Sequence, residues 1–142
     1  MSRPLYMRHN FPAVEALEAG GISLQAMVAV APSVDPEHLL IREARPWFER
    51  LALRTSAAIA LPYVVYVRAD AYRRRRDELT DLVVHELIHV HQWRDEGYIR
   101  FAVIYVADYL RGRLRGDSHR DAYRAIRYEV EARRLTEVVR SG

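Results

Sequence analysis

A chain of 142 residues, half of them hydrophobic and 29% charged, can build one core but not two. It has no cysteine, which excludes disulfides and thiolate metal sites and leaves histidine and carboxylates as the metal ligands on offer. All 22 basic residues are arginine, and a net charge of +3 is compatible with an anionic partner without selecting one.

From the N-terminus, Pro4, Pro12 and the pair Gly20-Gly21 predict an extended arm or short helix ending in a turn. Residues 22–30 (ISLQAMVAV) predict a strand, closed by Ala31-Pro32-Ser33. A helix is predicted next, with Asp35 as N-cap and Pro36 at its first position. Leu39, Leu40, Trp47, Phe48 and Leu51 carry it to about Arg54, with a kink at Pro46. Residues 55–61 fit a helix end or a strand. Pro62–Ala69 (PYVVYVRA) reads as a strand at or near a sheet edge, where proline is tolerated. Arg73–Arg76 predicts a solvated loop.

A long helix is expected from Asp77 to Gly97, with apolar residues on nearly every side, as in a central buried helix. Tyr98–Leu110 predicts a core helix running on into the basic segment Arg111–Arg115. Gly116-Asp117-Ser118 breaks the chain, and Ser118 with Asp121 has capping-box spacing for a last helix reaching about Val139. The apolar runs 57–67 and 101–107 fall short of the ~20 residues a spanning helix needs. With no apolar stretch after Met1-Ser2-Arg3-Pro4, the expectation is a soluble, cytoplasmic protein without a transmembrane segment.

The informative motif is His85-Glu86-Leu87-Ile88-His89. Histidines four apart on a helix lie about 40° apart around the axis and roughly 6 Å apart along it, so both can reach one cation. Glu86, about 100° round from His85, is placed to carry a proton without ligating. This is the pattern of a catalytic zinc site. Burying these three polar groups in an apolar helix is costly unless they are paired or ligated.

A catalytic zinc needs a third protein ligand. Gln92 and Asp95 stand where a glycine and a third histidine would continue the motif, which excludes that subclass. His119, Glu129, Glu131 and Glu137 remain. On a continuous last helix, Glu129 shares a face with Ala122, Ala125, Ile126 and Ala132, suited to close packing. Glu131 lies with Arg124, Arg127 and Arg134 on the opposite side. Geometry favours Glu129, with His119 and Glu131 as alternatives.

The run HELIHVHQW, followed downstream by Tyr-Glu-Val-Glu-Ala (residues 128–132), resembles the gluzincins, zincin-like metallopeptidases with two helix histidines and a glutamate from a later helix. The likeness extends from about Pro62 to Ala132, and the short chain is similar to minimal members of that group. The resemblance implies an α+β, zincin-like fold: a small mixed sheet on a central metal helix, with further helices behind it. It implies one zinc on His85, His89 and Glu129, Glu86 as general base, and hydrolysis of a peptide or protein substrate. The strand carrying Tyr63, Val65 and Tyr66 would be the rim for an extended peptide. Tyr123 and Tyr128 are the nearest candidates to stabilise an oxyanion. Gln92 is a candidate second support. Arg133 stands where many gluzincins carry an acid that braces a zinc histidine, so that brace must come from elsewhere.

The competing reading is a catalytically weak or inactive zincin-fold module that binds metal or a partner. Nucleic acid is not expected: Arg73–Arg76 and Arg111–Arg115 lack interleaved aromatics and any recognition-helix pattern.

Overall fold

The computed structural model describes residues 10–53, 57–72 and 76–142. Residues 1–9, 54–56 and 73–75 lie outside that set, and with them Pro4 and most of the expected Arg73–Arg76 loop.

Four short strands, β1 (Asn10–Pro12), β2 (Leu40–Glu43), β3 (Ala58–Leu61) and β4 (Val64–Val67), form one mixed sheet in the order β1-β2-β4-β3. β1 runs antiparallel to β2, β2 parallel to β4, and β4 antiparallel to β3, with Phe11, Ile41, Val65 and Ala60 in line across the sheet. Those four side chains are buried, because alternate residues of every strand face the same layer. That layer is the long helix α5 (Arg76–Glu96), whose Val83, Val84, Leu87 and Ile88 are fully buried beneath it. Helix α1 (Ala13–Ala19) packs on α5, where Thr80 donates its hydroxyl to the Ala16 carbonyl at 3.1 Å. The fold is therefore α+β, with a small mixed sheet on a central helix, as expected.

Three predicted elements are corrected. Residues 22–30 form not a strand but helix α2 (Leu24–Val30), capped by Ser23, which accepts from the Ala26 amide. Ile22, Ala26 and Val30, four apart, pack on the core, a helical period that the short apolar run concealed.

The helix expected from Asp35 to Arg54 divides in two. Asp35 does close a turn, accepting the Glu37 amide on its side chain and the His38 and Leu39 amides on its carbonyl. The chain then extends as β2, because the ladder to β4 outweighs one isolated helical turn, and Pro46 opens α3 (Pro46–Ala52) instead of kinking it.

The strand around Pro62–Ala69 is interior. Pro62 and Tyr63 form the turn joining β3 to β4, and β4 is paired on both sides. This removes Tyr63, Val65 and Tyr66 from the role of rim: Tyr63 is exposed in the turn, Val65 is buried, and Tyr66 packs its ring on Phe48. The edge strand on that side is β3, whose Ala60 carbonyl accepts from Trp93 Nε1 at 2.9 Å.

A four-residue helix, α4 (Ala69–Tyr72), precedes α5, which already includes Arg76 and Asp77. Gly97 ends it at φ +89, a conformation glycine adopts without strain. Helix α6 (Tyr98–Leu114) follows, longer than expected. The predicted last helix is two, α7 (His119–Arg124) and α8 (Arg127–Ser141). Ser118 caps α7 as expected, accepting from the Asp121 amide at 3.1 Å. Trp93, Phe101 and Tyr128 stack in a second, aromatic core where α5, α6 and α8 meet. Among the described residues, no helix is long and apolar enough to cross a membrane.

Candidate metal centre

The break between α7 and α8 positions the site. At Ile126 the backbone turns extended, and the side chain is buried. Asp108 of α6 then takes the place of an N-cap residue. Its carboxylate accepts the Arg127 amide at 3.0 Å, together with Nε at 2.8 Å and Nη2 at 3.0 Å. These hydrogen bonds, with the Arg127 charge behind them, hold Asp108 below its ordinary carboxylate pKa against the opposing effect of burial. Glu129 consequently stands in the first turn of α8, where the helix N-terminus favours a negative charge.

From there Glu129 reaches α5. Its Oε2 is 3.1 Å from His85 Nε2 and its Oε1 is 3.0 Å from His89 Nε2, while the two Nε2 atoms are 3.1 Å apart. Glu129 is buried, His89 is buried and His85 is half-buried. Burial alone would raise the Glu129 pKa, but the two histidine hydrogen bonds overcome it and hold the carboxyl well below its ordinary range. Burial disfavours a charged His89, yet the bond to Glu129 and the charges of Glu86 and Glu129 raise its pKa to about 9.

This triangle fits a small cation. Tetrahedral zinc with ligand bonds of ~2.0–2.1 Å sets its ligand atoms about 3.3 Å apart, a few tenths of an ångström wider than the spacing here. The imidazole of His89 is also held in the ligating tautomer. Gln92 Nε2 donates to the Tyr128 carbonyl at 3.1 Å and to Glu131 at 3.0 Å, which turns its Oε1 toward His89 Nδ1 at 2.7 Å. Nδ1 must then keep its proton, so Nε2, which bonds Glu129 in the metal-free protein, is the nitrogen offered to a cation once its own proton leaves. Asp35, Glu37 and His38 form a second compact group, but all three are exposed and knit to each other by the local turn.

The cluster forms part of the wall of a cavity of about 370 Å³. Glu86, His89 and Glu129 supply its polar patch. β3, Trp93, Phe101 and the α6 residues Ala102 and Val106 supply an apolar remainder. Glu86 is buried, and its pKa is raised by loss of water, partly offset by charge on the two histidines.

The other candidates separate cleanly. Tyr123 lines the cavity beside Glu129, and burial and the Glu129 charge raise its pKa. The Tyr128 ring stacks on Phe101 instead, with a buried hydroxyl that has no hydrogen-bond partner among the described residues, and its carbonyl joins the network. Gln92 braces His89, so the support that Arg133 was not expected to give comes from elsewhere, as the sequence required. Arg133 turns away and donates to the Arg124 carbonyl at the end of α7. His119 is exposed on α7 and bonded to Tyr109, and Glu131 is exposed one link behind Gln92.

One residue escaped the sequence reading. Tyr105 donates its hydroxyl to Glu129 Oε1 at 2.8 Å, and burial and the carboxylate charge raise its pKa. The available signal was an aromatic stripe on α6, Phe101, Tyr105 and Tyr109, four apart and facing inward. No protein-family model matches the chain, and no curated protein or solved structure is significantly similar to it.

Proposed function

We propose that the chain is a zinc-dependent peptidase of minimal, zincin-like design. The convergence of His85, His89 and Glu129, two of which (His89 and Glu129) line a cavity together with Glu86, supports this reading. His85, His89 and Glu129 would hold the metal, and Gln92 and Tyr105 would orient two of them from outside. Zinc, when bound, supplies a Lewis acid that polarises a carbonyl and acidifies a water. Glu86 accepts the proton of the attacking water and returns it to the leaving amine. An extended peptide lies along the edge strand β3, whose Ala58, Ile59 and Ala60 line the cavity and whose Ala60 carbonyl is already held by Trp93 Nε1 at 2.9 Å. A side chain beside the scissile bond enters the apolar part of the cavity, against Trp93 and Phe101. Tyr123, on the same wall, donates its hydroxyl to the developing oxyanion.

The test pairs elemental analysis of the purified protein with the variant Glu86→Gln, which keeps shape and removes the proton acceptor. One zinc per chain is expected in both. The variant should lose about 10²–10⁴-fold in rate on any peptide the wild type cleaves. A wild type and variant that cleave equally, or a protein that takes up no zinc, would defeat the proposal.

A further inference from the structure

Helix α6 leaves one side bare. Ile99, Val103, Val106, Leu110 and Leu114 lie within about 80° of one another around its axis. They are between 51% and 88% exposed, five large apolar side chains on one face of one helix. The sequence suggested a core helix here, but only the opposite face, Phe101, Ile104 and Tyr105, packs inward.

The surroundings of the stripe restrict what can cover it. The rest of that half of the helix is Ala102, Ala107 and the arginines Arg100, Arg111 and Arg113, with no acidic residue. Arg100 and Arg111 pair with Glu96 and Asp108 yet remain 72% and 67% exposed. Arg113 donates to the Asp117 carbonyl and is exposed too. A second copy docked through the same face would bring both sets of arginines along one seam, with Glu96 and Asp108 already engaged by Arg100 and Arg111 and no further acid on the face. An anionic lipid surface meets both features: headgroups take the guanidinium groups, and the apolar stripe enters the boundary of the acyl chains.

We infer that α6 docks this protein onto anionic membrane surfaces, lying in the interface with its Ile99–Leu114 stripe inward. Ala102 and Val106 belong both to this half of the helix and to the cavity wall, so docking brings that part of the wall close to the bilayer. Docking does not depend on the peptidase reading, and its test requires no turnover.

Flotation with vesicles of equal parts phosphatidylglycerol and phosphatidylcholine reads it directly. The wild type should float with these vesicles, less at high salt, and weakly with phosphatidylcholine alone. The double variant Val103→Asp, Leu110→Asp changes two exposed positions and should reduce partition at least about tenfold. Arg111→Gln with Arg113→Gln leaves the stripe intact and should remove the preference for anionic vesicles. The inference is overturned if the wild type does not float, or if the aspartate variant floats as well as the wild type. It is also overturned if light scattering shows a wild-type dimer that the aspartate variant dissociates.

Discussion

Gln92→Met is the most informative single change at the centre, because it keeps length and volume while removing every polar contact of the amide. Three contacts are lost: His89 Nδ1, the Tyr128 carbonyl and Glu131. The Glu131 contact is on the exposed side and costs little. Of the other two, the Tyr128 carbonyl keeps its place in the α8 ladder, whereas His89 is left with a buried imidazole N–H unpaired, at about 1–3 kcal/mol in desolvation. Part of this is recovered as the site relaxes, so a net loss of about 1 kcal/mol is expected, some 2–4 °C in melting temperature for a domain of this size. Zinc affinity should fall separately by about 10- to 100-fold, because the His89 ring is no longer held in its ligating tautomer. Competition against a chromophoric chelator measures that term, and calorimetry with and without zinc measures the first. Gln92→Glu is the discriminating control. A carboxylate still accepts from Nδ1 and increases the basicity of the ring, so zinc affinity should be retained although the Tyr128 carbonyl loses the amide donor. If Gln92→Met binds zinc as tightly as the wild type, Gln92 does not orient His89 and the tautomer argument fails.

Two further outcomes are expected. With its pKa raised to about 9, metal-free His89 carries a proton at neutral pH that zinc must displace. Titrations in buffers of different ionisation enthalpy should therefore show close to one proton released per zinc near pH 7, and release that does not decline above pH ~10 would contradict the assignment. The stability that the His89–Glu129 pair gives the metal-free protein has the opposite sense: full below the ordinary histidine pKa and lost as pH rises through about 9. Asp108→Ala should remove the cap of α8, costing about 1 kcal/mol, and should weaken zinc binding by loosening Glu129. Because the Asp108 pKa is lowered in the fold, its contribution is present above the ordinary aspartate pKa and lost as pH falls through the folded value. The gap between wild-type and variant melting temperatures should close on acidification, and a gap independent of pH would show that the carboxylate charge is immaterial.

The site was largely legible because its chemistry is local. The His85–His89 spacing lies on one helix, and a long apolar helix has few alternatives to the centre of a core, where the buried Val83, Val84, Leu87 and Ile88 place it. What the sequence concealed depends on partners distant in the chain. Leu40–Glu43 is a strand because β4 offers it a ladder, and no pattern within four residues reveals that. Residues 22–30 resembled a strand because the continuous apolar run hid a period that only the core contacts of Ile22, Ala26 and Val30 disclose. Placing the rim at Tyr63 failed for the same reason. Proline disfavours an interior strand, but Pro62 sits in the turn before β4, where no ladder amide is needed.

Glu129 does meet the two histidines, although the premise that singled it out was incomplete. The face shared with Ala122, Ala125 and Ile126 assumed one unbroken helix, whereas the chain breaks at Ile126 and Ala125 is exposed. Ala132 and Ile126 are still buried, so the packing argument survives in the part of the face nearest Glu129. The break adds what a continuous helix would lack. It gives α8 its own N-terminus beside Glu129, so the helix dipole favours the ionised carboxylate. It also ties that terminus to α6 through Asp108, three residues beyond the Tyr105 that donates to the same carboxylate. Helix α6 thus holds Glu129 twice, once through the start of its helix and once through its side chain. The face of α6 that does this lies opposite the exposed stripe, so a shift of α6 would move both supports of Glu129 together.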